Sequence, residues 1–221
     1  MKKIIAIVLA VSSLFFLTAT KVLAEWSAGV SVSSGVYEAD GTETSGTESE
    51  INKANEEALF TYPSIFLEYN TGRVSFGLDV IPGSVTTEEQ ARTDNGVGDN
   101  SLTTGNDVIT NKVSVEFSRH VSLYALVPIT DIGAFARVQI MRVDVETKES
   151  LGTGSTYPDT TMKGAALSIG YQHNFDGGVF VRAEVGASKY NTIKVTSSNS
   201  HIVEADLDGE KWGRISIAKS F

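Results

Sequence analysis

Residues 212–221 read Trp212-Gly213-Arg214-Ile215-Ser216-Ile217-Ala218-Lys219-Ser220-Phe221. Ile215, Ile217 and Phe221 fall on one parity, and Arg214, Ser216, Ala218 and Ser220 on the other. Alternate side chains of a strand point to opposite faces, so this segment reads as a strand with one apolar and one polar face, patterned to its last residue. Chain ends usually fray. A strand that stays ordered to its end needs a neighbour on each side, and a barrel that closes its last strand onto its first supplies both.

The same alternation recurs upstream. In Trp26–Tyr37, Trp26, Ala28, Val30, Val32 and Val36 oppose Ser27, Gly29, Ser31, Ser33 and Gly35. Ile65, Leu67 and Tyr69 oppose Ser64 and Glu68; Val74, Phe76, Leu78 and Val80 oppose Arg73, Ser75, Gly77 and Asp79. In Asn111–Val127 the apolar set Val113, Val115, Phe117, Val121 and Leu123 opposes Ser114, Glu116, Ser118, His120 and Ser122. Arg119 lands on the apolar parity there, which predicts a bulge or a bend near it. Ala136, Val138 and Ile140 oppose Arg137, Gln139 and Met141, after which Val143 and Val145 suggest a register slip. Leu167, Ile169 and Tyr171 oppose Ser168 and Gly170; Val179, Val181, Ala183 and Val185 oppose Arg182, Glu184, Gly186 and Ser188. With the terminal segment this makes eight strands, and an even count lets first and last close antiparallel.

The N-terminus reads differently. Lys2 and Lys3, the apolar run Ile4–Leu17 and Val22-Leu23-Ala24 have the form of a cleavable signal peptide over residues 1–24. Residues 25–221 are then one domain, and losing Lys2, Lys3 and Lys21 moves the formal charge from −9 to about −12. So acidic a chain excludes nucleic acid as a partner. Without cysteine there is no disulfide framework and no thiolate for a metal or a nucleophile; no cofactor is expected. Past the signal peptide no apolar run approaches the ~18 residues of a membrane helix, so any membrane crossing must be a closed β-barrel.

Connections alternate in length. Asn70–Gly72, Pro128–Gly133 and Asn174–Gly178 are short and rich in turn residues. Glu38–Glu57, Pro82–Asp107, Thr147–Thr160 and Val195–Asp208 are long, and the first two carry net charges of −6 and −4. Short turns and long outer loops are the pattern of outer-membrane barrels. A soluble calyx has the same strand count but turns its apolar parity inward. The acidic loops could bridge anionic lipopolysaccharide through divalent cations, although none carries a spaced calcium-loop pattern.

The strand pattern and the terminal Phe221 resemble the small outer-membrane barrel superfamily that includes the OmpA membrane domain, OmpX and the opacity proteins. The resemblance implies an all-β, eight-stranded antiparallel up-and-down transmembrane barrel in the outer membrane of a Gram-negative bacterium. It implies lipids and lipopolysaccharide as surroundings, a monomer, and Phe221 as the signal read by the outer-membrane assembly machinery. A C-terminal peptidoglycan-binding domain of the OmpA kind is not expected. Lys219 near the boundary can keep its stem apolar while its ammonium reaches the headgroups. Pro63 is expected near the outer rim, beside a loop.

Eight strands enclose a lumen just wide enough for side chains. The inward parity carries Glu68, Asp79, Glu116 and Glu184 with Arg73, Arg137, Arg182 and Arg214, and His120 beside them. Buried charge is tolerable only when paired, so these residues predict a charge network that closes the lumen. The expected role is non-enzymatic, structural or surface-interacting. The alternatives are a small pore through those charges, or a lipid A enzyme built on His120 with Ser118 and Glu116.

Overall fold

The computed structural model describes residues 26–44, 51–95, 108–129, 132–150, 156–198 and 200–221. The signal-peptide reading of residues 1–24 lies outside them. The strands are β1 (Trp26–Thr44), β2 (Ile51–Asn70), β3 (Ser75–Val80), β4 (Val85–Thr86), β5 (Gln90–Asn95), β6 (Val108–Pro128), β7 (Ala134–Ser150), β8 (Thr160–Asn174), β9 (Val179–Tyr190), β10 (Ile193–Thr196) and β11 (Ile202–Ser220). Eight of them, β1-β2-β3-β6-β7-β8-β9-β11, form an antiparallel ring that closes by β1 pairing with β11. The closing ladder runs from Ser27↔Ser220 to Thr44↔Ile202, and the Phe221 N–H donates to the Trp26 carbonyl at 2.9 Å. Closure pairs backbone groups that would each cost several kcal/mol if left unmet in hydrocarbon.

The two faces are inverted relative to a soluble barrel. Ile140, Leu167, Ile169, Val185, Ile215 and Leu123 are exposed, whereas Ser31, Ser33, Ser64, Ser122, Ser168 and Ser216 are buried. An apolar outside over a polar inside is the arrangement lipid requires. At the turn end the belt finishes in exposed Trp26, Tyr171 and Phe221, with Trp26 packed on Tyr69 at 5.0 Å between ring centroids. Aromatic rings of this kind mark a membrane–water boundary.

Among the described residues, six glycines inside the barrel face an aromatic ring directly across a ladder. The pairs are Gly29↔Phe66 and Gly35↔Phe60, Gly77↔Tyr124, Gly164↔Tyr190, Gly170↔Phe135, and Gly186↔Trp212. A Cβ at any of them would lie within 3 Å of the opposing ring. The missing side chain is the space the ring occupies.

Three sequence expectations are corrected. Glu38–Glu57 is mostly strand, because β1 and β2 continue outward to the pair Thr44↔Ile51. Likewise β7 reaches Ser150, β11 begins at Ile202, and Pro82–Asp107 contains β4 and β5. No register slips at Val143: Met141, Val143 and Val145 all keep the inward parity of Arg137 and Gln139. Pro63 is not at the rim. It lies mid-strand opposite Val32, two residues beyond the last β2–β3 pair, Ile65↔Val80. Above that pair, among the described residues, β2 pairs with β1 alone, and β4 and β5 pair with β6. The wall therefore has an unzipped seam between β2 and β4, and Pro63 occupies the edge that proline tolerates.

Candidate functional site

Three acids and three arginines meet in the lower lumen, every one 5 % exposed or less. β9 presents Arg182 and β2 presents Glu68, and the guanidinium donates to both carboxylate oxygens at 2.7 Å. The Tyr124 hydroxyl adds a third bond to Glu68 at 2.9 Å, and Arg182 Nε donates to Gln172 at 2.6 Å. Above them Asp79 accepts from Arg214 at 2.8 Å and from Arg137 at 3.5 Å. Arg214 also donates to Ser33 and Ser64. Glu184 accepts from Arg137 at 3.4 Å and from Ser168 at 3.1 Å. Arg137 has the longest bonds, but its guanidinium lies 3.7 Å from the Tyr124 ring centroid. Phe66, Phe135 and Phe180 surround Arg182, 4.6–5.8 Å from their centroids. Bidentate, ring-packed charges of this kind form a stiff seal. A polar vestibule of about 190 Å³, lined by Glu68, Arg182, Ser27 and Ser75, gives onto the seal from the turn end.

Two residues expected in this network are elsewhere. Arg73 is exposed in the Asn70–Val74 turn, because β3 begins only at Ser75. Glu116 is outside the barrel. Of the bulge or bend expected near Arg119, the structure has a bulge: the β6–β7 register shifts between Ser118 and Val121, and Arg119 has φ 48°. One extra residue there exchanges the two faces of β6. Phe117 and Val115 therefore pack inside with Val143, Val145 and Met162, while Ser118 and Glu116 point out. His120 stays inside without them. Its partners are the Tyr190 hydroxyl at 3.4 Å and the edge of Tyr62 at 6.3 Å between centroids, so the Ser–Glu–His series read along the sequence does not converge.

Outside, Glu116 lies 3.4 Å from Lys148. A hydrogen bond from Ser84, and then Lys148, hold its carboxyl below the ordinary 4.5. A carboxyl lowered by folding adds stability above its unfolded pKa and loses it as pH falls through the folded one. A carbon-detected NMR titration is expected to place the Glu116 midpoint under 4.5, with Ser84→Ala raising it more than Lys148→Met. A midpoint at or above 4.5 in the native protein would contradict the geometry.

Above the seal the lumen changes character. Tyr37, Phe60, Tyr62, Ile81, Val85, Phe117, Val143, Tyr190 and Leu207 line a chamber of about 120 Å³, with His120 and Glu210 at its wall. Phe60 and Tyr62 stack at 5.2 Å. Phe60 and Tyr62 stand on one side of the seam, and Ile81, Gly83 and Val85 on the other. Sequence alternation did not reveal this chamber. Its only signals were Val143 and Val145 on the inward parity and the inward aromatics Phe60 and Tyr62.

An eight-stranded antiparallel ring with apolar side chains outward, a charged seal within and a boundary belt of Trp, Tyr and Phe has the fold of the small outer-membrane β-barrel superfamily. Among solved structures it is similar to the outer membrane protein OprG from Pseudomonas aeruginosa, with a TM-score of 0.51 and 8 % identity over 90 % of this chain and 96 % of that one. It is also similar to the outer membrane protein AlkL in lipid bilayers, at 0.48 and 12 % identity, covering 92 % and 93 % of the two chains. No family model matches the sequence, and no curated protein matches it.

Proposed function

We propose that this protein is a non-enzymatic barrel of the outer membrane that does not conduct along its axis and receives a small apolar or aromatic molecule in its upper chamber. The observation that carries this reading is the change of lumen chemistry along the axis, from a charge-paired seal to an aromatic-lined cavity beside the seam. A pore needs an open, solvated path, and the Arg182–Glu68 pair packed among Phe66, Phe135 and Phe180 fills it. A largely apolar cavity with a few convergent polar groups, Glu210 and His120 among them, is the usual form of a small-molecule site. In the membrane the protein is a monomer surrounded by lipids and lipopolysaccharide, and Phe221 is the residue the assembly machinery reads.

Two measurements test it. In planar bilayers the native protein is expected to stay at background current; sustained ohmic conductance would overturn the sealed lumen. In bicelles, toluene is expected to cause saturable NMR shifts at Tyr62, Phe117 and Tyr190 that vanish in Val143→Trp. Shifts confined to belt residues such as Leu167 and Ile215, equal in both proteins, would mean partition into lipid and no chamber site.

A further inference from the structure

On the outside of the barrel, the first charged residue above the apolar belt is a cation on five successive ring strands. On β6 the belt Val121–Val127 gives way to Arg119, which the bulge turns outward and leaves 75 % exposed. On β7 Ile140 is followed by Arg142; on β8 Ala165 by Lys163; on β9 Ala187 by Lys189; on β11 Ile215 by Lys211. All five side chains are exposed.

The ladders set these residues side by side. Arg142 pairs directly with Lys163 and with Val121, the first paired residue after the bulge. Lys189 pairs with Ala165, two residues from Lys163, and Lys211 pairs with Ala187, two residues from Lys189. Each cation is thus directly or diagonally across from the next, within about 8 Å along the backbone. The arc covers roughly 20 Å of circumference at ~4.8 Å per strand.

Asp144 lies 2.6 Å from Arg119 and 3.5 Å from Arg142, so one carboxylate serves two guanidinium groups. The arc stops at β1 and β2, where the corresponding exposed residues are Glu38 and Glu57, paired opposite one another. The chain is acidic overall, with a formal charge of −9. A row of cations confined to one level of the wall therefore runs against its composition.

We infer that Arg119, Arg142, Lys163, Lys189 and Lys211 form a binding site for the phosphate groups of phosphorylated glycolipid headgroups in the outer leaflet. The height of the arc carries the assignment: its cations sit where acyl chains end and headgroup phosphates begin, and long basic side chains reach that level from the belt. Arg142 and Lys163, adjacent across one ladder, present a planar donor fork beside a mobile ammonium, which together can grip one phosphate from two directions. The inference rests on outer-membrane placement and is independent of the chamber and of conduction.

The test uses the full protein in detergent micelles, with bisphosphorylated lipid A and its fully dephosphorylated form as probes, and native mass spectrometry to count bound lipid. The variant is Arg142→Gln/Lys163→Gln/Lys189→Gln/Lys211→Gln; Arg119 is retained because it is tied to Asp144 in the bulge. Heat-modifiable migration on a gel confirms that the variant is folded. The native protein is expected to bind bisphosphorylated lipid A roughly ten- to a hundredfold more tightly than the variant does. Lys219→Gln, at the opposite end of the barrel, is expected to bind like the native protein, and the dephosphorylated lipid to bind native and variant equally weakly. Equal binding of bisphosphorylated lipid to native and variant would overturn the site. Equal binding of both lipids to the native protein would reduce it to acyl-chain contact. Displacement of the lipid by inorganic phosphate would make it a general anion site, which also overturns the assignment.

Discussion

Arg182→Ala is expected to destabilise the barrel by about 3–5 kcal/mol, because it leaves Glu68 charged, buried and without its bidentate partner. The Tyr124 hydroxyl would remain as a donor to Glu68, but one neutral hydroxyl does not replace two charge-assisted bonds. Urea unfolding in micelles, read by the shift in heat-modifiable migration and by the fluorescence of Trp26 and Trp212, measures the loss. The double variant Glu68→Gln/Arg182→Met is expected to recover most of it, since removing both charges removes the desolvation cost as well. A single variant within about 1 kcal/mol of the native protein would mean that water reaches Glu68 from the turn-end vestibule and solvates it.

Gly77→Val is expected to be nearly as damaging, at roughly 3 kcal/mol or more. A Cβ at residue 77 would lie 2.1–2.5 Å from the end of the Tyr124 ring. That ring cannot swing aside cheaply, because its hydroxyl is bonded to Glu68 and its face is covered by Arg137. Overpacking of this kind costs about 1–3 kcal/mol, and a broken bond to a charged group adds about 1.5–3 kcal/mol. Gly213→Val is the matched control. Its nearest neighbour is a backbone oxygen 3.8 Å away, and valine suits a lipid-facing strand. The control is expected to fall within about 0.5 kcal/mol of native. If the two valines cost the same, the glycine–ring pairing is not what holds Tyr124.

Much of the wall was legible in the sequence because lipid outside and polar side chains inside impose a strict period of two. Ile215 and Ile217, or Leu167 and Ile169, could not be placed otherwise. What escaped follows from the limits of that rule. Above the membrane the outer face meets water and the inner face meets the chamber, so the polarity of the faces reverses. Residues such as Glu38, Asp40 and Glu57 then resemble loop, although β1 and β2 run through them. Val143 and Val145 resembled a slip for the same reason: the lumen had turned apolar while the parity stayed the same. Arg73 was counted inward because a turn and a strand start cannot be told apart within two residues. Glu68, Asp79, Arg137, Arg182, Glu184 and Arg214 were placed inward by parity alone, but which acid meets which arginine depends on strand tilt and stagger. Alternation along one strand does not encode either. Glu116 falls on the inward parity only when β6 keeps one period throughout, and the bulge beside it breaks that period.

That bulge works like a reading-frame shift within a single strand. With period two, one surplus residue between Ser118 and Val121 inverts the address of the side chains from Phe117 back to Lys112. Deleting Arg119 would restore the upstream frame, turning Glu116 and Ser114 into the chamber and Val115 and Phe117 out to water. Substitutions along β6 therefore act locally, whereas a one-codon deletion at this point would rewrite one wall of the chamber while leaving the lipid-facing half of the strand as it is.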